Sequence, residues 1–181
     1  MRLQLSAALG LAALAPVSSF AVDYLSAEQA AKLLFQEADR FEARDLLLEP
    51  ALLQKLAEKG FKPRSAHLQL RLAWRGKDLL GVLASDQVLG KFEQIGYATA
   101  VGLDGRIRGV EILSYRESHG AEIRLPAWRK QFIGKNSAAP LQVGEDIANI
   151  SGATLSCSHV TEGVKRLLAT LELAQKAGLL S

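Results

Sequence analysis

Ile147-Ala148-Asn149-Ile150-Ser151-Gly152-Ala153-Thr154-Leu155-Ser156 is a run of small and hydroxyl-bearing residues that leads without interruption into an amphipathic segment, Cys157 to Leu173. Within that segment Val160, Val164, Leu167, Leu168 and Leu171 recur at helical spacing, so the stretch predicts a tight turn feeding a long C-terminal helix. First-turn amides have no partners inside a helix, and the helix dipole is positive there. A hydroxyl-rich entrance of this kind holds anions, phosphate above all. Read alone, the run is equally an ordinary glycine-containing loop before a helix capped by Thr154 or Ser156.

Upstream of this helix the period changes. From Ala66, Leu68, Leu70 and Leu72 alternate with Gln69, Arg71 and Ala73, Gly76-Lys77 reads as a turn, and Leu79 to Ala84 returns as a second strand. Phe92 to Gly102 predicts a third strand and Arg106 to Tyr115 a fourth, joined by the hairpin signal Asp104-Gly105. Before the strands, Ser26-Ala27-Glu28-Gln29 fits a capping box and predicts a helix from Ala27 to about Ala38. Asp39 to Glu49 is mixed and supplies no element. Pro50, Leu52, Leu53, Leu56 and the stop at Gly60 predict a second short helix, and both helices are expected on one face of the strands. A further helix is expected around Pro126 to Phe132. The fold class is α+β: an antiparallel sheet of about four or more strands packed with N-terminal helices and a long C-terminal helix.

The 181 residues are 49% hydrophobic and 23% charged, in the range of ordinary globular chains, and no linker or repeat divides residues 22–181 into two domains. The net charge of +3 is dispersed, which argues against a nucleic-acid partner. Arg2, the nearly apolar stretch Leu3 to Pro16, and Ser19-Phe20-Ala21 read as a signal peptide over residues 1–21, cleaved after Ala21. That apolar run is shorter than the roughly 20 residues a spanning helix needs, so a periplasmic protein is expected. Cys157 is the one cysteine and has no disulfide partner; it is either a thiol activated by the helix entrance or a small residue packed on the sheet.

Three segments resemble the FMN-binding domain family, which supplies the flavin-carrying subunits of the sodium-pumping NADH:quinone oxidoreductase and of Rnf complexes. Ser151-Gly152-Ala153-Thr154 resembles the family's S/T-G-A-T signature, Tyr115 to Ile123 its E-T-P-G-L-G-x-x-I loop, and Trp128 to Lys135 its W-x-x-x-F-x-G-K segment. The three occur in the family's order and span roughly Phe92 to Leu168. By resemblance, a flavin transferase esterifies Thr154 to the phosphate of FMN. Ser151, Gly152, Ala153, Leu155 and Ser156 would surround that phosphate. Glu117, Ser118, His119 and Gly120 would line the isoalloxazine ring, with Gly120 admitting close approach of the backbone. Trp128 would border the flavin, fill the core, or serve both. Lys165 and Arg166 belong to a solvated helix face, from which one could reach back to the phosphate.

Two departures stand out. The family carries an acid three residues before the S/T, where this chain has Ala148, with Asp146 two residues earlier as a substitute. The loop also lacks the family's Pro and Leu and carries His119, which is either a donor to the flavin or a solvated loop residue. Glu117 and His119 fall short of the three or four ligands of a metal site. No catalytic triad, Cys-His pair, nucleotide loop or zinc spacing occurs, so the residues predict no catalytic group of the protein's own. The expected function is that of an exported electron carrier with FMN on Thr154 and a membrane or periplasmic redox partner, including peripheral docking on a membrane complex. The alternatives are a reversible FMN-binding module or sensor, and an adaptor that has lost the cofactor.

Overall fold

The four alternating segments pair as neighbours in one antiparallel sheet, and the mixed segment before them joins at its edge. The computed structural model describes residues 22–180, so the expected leader lies outside the described residues. The strands are β1 (Val22–Asp23), β2 (Arg40–Leu47), β3 (His67–Arg75), β4 (Asp78–Leu89), β5 (Gln94–Gly102) and β6 (Ile107–Tyr115). They run in the order β1-β6-β5-β4-β3-β2, every pairing antiparallel. The helices are α1 (Ala27–Leu34), α2 (Pro50–Glu58), α3 (Pro126–Arg129) and α4 (Thr154–Lys176).

The two early helices do not share a face of the sheet, contrary to expectation. Strand residues alternate sides, and each side carries its own core. Ala30, Ala31 and Phe35 of the α1 segment pack with Ala73, Leu83, Ala98 and Ala100 on one side. Leu52 and Leu56 of α2 join α4, Leu70, Leu72, Val82, Ile95 and Tyr97 on the other. The first side is lined by small residues, so a short helix lies close to it. The second carries the larger side chains and the long helix.

Helix α1 stops at Leu34, short of the expected Ala38, because Phe35 leaves helical backbone (φ −128°, ψ 63°) and its side chain turns fully into the core. Its start is as read: Ser26 Oγ accepts from Gln29 N–H, and Gln29 Oε1 accepts from Ser26 N–H. Replacing Ser26 by Ala is expected to lower stability by about 1 kcal/mol, the usual contribution of such a cap, read as a shift of the urea midpoint with unchanged slope.

Arg166 also departs from expectation. It is not on a solvated face: its guanidinium donates to Asp86 Oδ2 at 2.7 Å, beside the buried Tyr97, and ties α4 to β4. Lys165 Nζ donates to Pro140 O at 2.7 Å. Neither cation reaches toward Thr154.

With 23 residues rising 1.5 Å each, α4 is about 34 Å long, enough to run the length of the strands beneath it. Its N-terminus therefore sits at the sheet end where β4 closes, β5 opens and β6 closes. Three loops meet there.

Candidate cofactor site

The helix that organises the chain begins at Thr154, three residues earlier than the apolar periodicity indicates. Its N-cap is Ala153, and no side chain caps it. Cys157 N–H is the first amide of this turn with a helical partner, Ala153 O at 2.9 Å. The amides of Thr154, Leu155 and Ser156 thus keep their donors for a ligand or water. Thr154 is exposed at the first helical position, and its Oγ1 accepts from Asn149 Nδ2 at 3.1 Å.

Each small residue of the turn has a physical reason. Gly152 sits at φ +81°, a left-handed conformation that side chains resist. Ala153 is 3% exposed and lies beneath Gly120, whose φ is +87°. A Cβ on Gly120 would stand 2.7 Å from both the Ala153 Cβ and the Tyr115 hydroxyl. Gly120 thus permits a close approach to the helix entrance.

Tyr115 fastens the same junction. Its hydroxyl donates to His119 O, which commits its single proton, so Ser156 Oγ, 3.2 Å away, donates to it. Burial pushes the Tyr115 hydroxyl above its ordinary pKa, and it stays protonated across the physiological range. Ser156 is accordingly 4% exposed, its hydroxyl turned to the core.

A cleft of about 330 Å³ opens beside the helix entrance, lined by Lys91, Phe92, Glu117, Ser118, His119 and the residues Gly152 to Ser156. The structure thus brings together Thr154, Gly152, Ala153, Leu155, Ser156, Glu117, Ser118 and His119. Ser151, Gly120 and Trp128 fall outside this lining. Trp128 is 4% exposed, meets Phe132 edge-on at 5.1 Å, and donates Nε1–H to Ala148 O at 2.8 Å. It supports the segment before α4 from beneath. Lys91 and Phe92 escaped the sequence reading, because their only signal was an apolar residue next to a glycine at a strand end.

Glu117 has a task other than facing a ring. Its Oε1 accepts from Phe92 N–H at 2.7 Å and Glu93 N–H at 3.0 Å. Burial works to raise its pKa, but the amides of residues 91–93 outweigh that and hold it below the usual carboxylate value. A carboxyl depressed in the folded state adds stability above its unfolded pKa, lost as pH falls through the folded value. The Glu117→Gln variant is therefore expected to be less stable than wild type at pH 7, with the gap closing as the pH drops below about 4, followed by thermal unfolding across that range.

Asp146 does not substitute for the acid missing at Ala148. Burial raises its pKa, yet the amide of Gln142 at 2.8 Å and Lys135 at 2.9 Å lead the groups that pull it below the ordinary value. Its charge is spent on its own turn and on Lys135. Cys157 is fully buried, and burial pushes its thiol up in pKa, as in a packed small residue.

The sequence model of the FMN-binding domain family matches residues 90–169. The chain carries an FMN-binding domain. The match opens at Gly90, the start of the β4–β5 connection that flanks the cleft, and ends within α4. Comparison with curated protein sequences finds no match. Among solved structures, NqrC of Shewanella oneidensis is similar over 80% of this chain and 88% of that chain, with a TM-score of 0.53 and 14% identity. At that identity the likeness speaks for the fold alone.

The residues present fit FMN, the domain's cofactor. The cleft lies within the few-hundred-Å³ range of small-molecule sites, near its lower limit. Uncapped amides at the α4 entrance suit a phosphate, and an aromatic ring and a lysine border the same cleft. When bound, FMN supplies the electron-transfer chemistry, and the protein holds, orients and tunes it. A larger cavity of about 840 Å³ lies at the opposite end, between the strand turns and the end of α4, and contains none of these residues.

Proposed function

We propose that this protein is an exported electron-transfer flavoprotein whose FMN is esterified through its phosphate to Thr154. The observation that carries the reading is the state of that hydroxyl. Thr154 is exposed at the open end of a 23-residue helix, its Oγ1 accepts a hydrogen bond, and its proton is uncommitted. The neighbours that would crowd it are a glycine and a buried alanine. A phosphodiester there would meet three first-turn amides at the positive end of the dipole. Ester formation adds one FMN and removes one water.

Covalent attachment has a use outside the cytoplasm, where a dissociated flavin would be lost. Export rests on the leader-like residues 1–21. No helix among the described residues is long and apolar enough to cross a membrane. A flavin transferase would mature the protein, and a membrane or periplasmic donor would reduce it. Reversible FMN binding is the second reading. It is favoured by Ala148 where the family carries an acid, since Asp146 is bound to Lys135 and to the amides of residues 141–142.

The test is the intact mass of the mature protein after export from a host carrying a flavin transferase. A gain of one FMN less one water, with fluorescence surviving denaturation, is the expected result. An unmodified mass with yellow colour retained selects reversible binding, and an unmodified, colourless protein defeats both readings.

A further inference from the structure

The connection from β4 to β5, residues 90–93, is a loop tip held unusually firmly. Glu117 accepts from two of its amides, Gly90 N–H donates to Glu93 O at 2.8 Å, and His159 Nδ1–H donates from α4 to Leu89 O at 2.5 Å. A side chain at Gly90 would lie 2.4 Å from Glu117 Oε1. Loop tips are ordinarily where order is lost. Yet the side chain this backbone carries outward, Phe92, is 72% exposed, and the Lys91 ammonium stands 4.9 Å over its ring. Restraint of the backbone with exposure of the side chains is the pattern of a preorganised contact.

The charges point the same way. Among the described residues Glu117 is the one carboxylate lining the cleft; backbone amides engage its Oε1, and the Lys91 charge adds a smaller attraction. Lys91 is the one lysine or arginine in that lining, among the described residues. The α4 entrance, with its own unpaired amides, serves the phosphate without it.

We infer that Lys91 and Phe92 form the wall of the cleft that meets the flavin ring, Phe92 lying against the ring and Lys91 holding beside it a positive charge that favours the reduced cofactor. This rests on the FMN reading above. Two electrons taken up with one proton leave the ring one negative charge richer, and a nearby ammonium stabilises that charge more than the neutral oxidised ring.

The experiment is a dithionite titration of the flavin-loaded protein, comparing wild type with Lys91→Gln and Lys91→Arg, with retention of FMN and of riboflavin by the same proteins made without a flavin transferase measured alongside. Lys91→Gln is expected to lose about tenfold of the preference for reduced over oxidised flavin, a fall of about 30 mV for a two-electron couple, and Lys91→Arg to keep the wild-type potential. Phe92→Leu is expected to weaken riboflavin retention about tenfold, since riboflavin has the ring and no phosphate. An unchanged potential in Lys91→Gln overturns the inference. So does a loss of FMN with riboflavin unaffected, which would put Lys91 on the phosphate. Wild-type protein that takes up neither flavin overturns the FMN reading itself, and the absence of any flavin spectrum tells that outcome from the others.

Discussion

Thr154→Ala is expected to abolish the proposed covalent flavin completely and to leave the fold nearly untouched. On the proposed reading the hydroxyl is the attachment atom, so its removal leaves nothing to esterify, and the expected mass gain of one FMN less one water disappears. The structural cost is small. Thr154 is exposed, is not the cap of α4, and loses only the bond from Asn149 Nδ2, while alanine is the better helix former. Stability is expected to stay within about 0.5 kcal/mol of wild type. Ser151→Ala is the control that assigns the ester: Ser151 is exposed in the same turn but outside the cleft lining, and the variant is expected to flavinylate as wild type. Peptide mass mapping of both variants decides the matter. A flavin mass persisting in Thr154→Ala would move the ester to another hydroxyl and sink the assignment.

The largest loss of stability is expected from Arg129→Leu. Glu111 on β6 is 6% exposed, and Arg129 Nη1 donates to its carboxylate and to Val110 O at 2.9 Å. Arg129 Nε also donates to Arg124 O at 2.8 Å, so one side chain binds α3, the turn before it and β6 together. Leucine leaves Glu111 buried without its cation, at a cost of about 3–5 kcal/mol. The double variant Arg129→Leu/Glu111→Leu is expected to recover much of that loss, because the orphaned charge goes with its partner. Urea unfolding of wild type, the two single variants and the double variant measures the coupling. Additive losses would show that the pair contributes no mutual stabilisation. Since Trp128 reaches Ala148 O from this same short helix, the single variant should also slow flavin attachment at Thr154, read as a lower fraction of modified mass.

The sequence was informative where a pattern was local. Alternation of Leu68, Leu70 and Leu72, the Asp104-Gly105 turn and the Ser26 capping box became β3, a hairpin turn and the start of α1 because each depends on neighbours within a few residues. Strand β2 was not legible. Arg40, Glu42, Arg44 and Asp45 leave no clean alternation, and the segment is a strand because it pairs with β3 along its whole length at the sheet edge, where charged side chains are tolerated. The opposite placement of α1 and α2 was equally hidden. Both helices are amphipathic, and only the assembled sheet shows that its small-residue face receives one and its large-residue face the other.

At the site, the order of the three motifs and a helix entrance after the hydroxyl-rich run were legible in the sequence alone, since turn chemistry and helical periodicity are written in consecutive residues; the start at Thr154, with Ala153 as an N-cap that offers no side-chain bond, was not. The division of labour among those residues was decided by tertiary structure. Gly120 meets Ala153, Ser156 turns inward to Tyr115, Glu117 braces the loop that carries Lys91 and Phe92, and Trp128 supports Ala148 from below. The reason is distance along the chain. Gly120 and Ala153 are 33 residues apart, and Glu117 and Phe92 are 25. Such contacts exist only once the ends of β4, β5 and β6 and the start of α4 are brought to one end of the sheet.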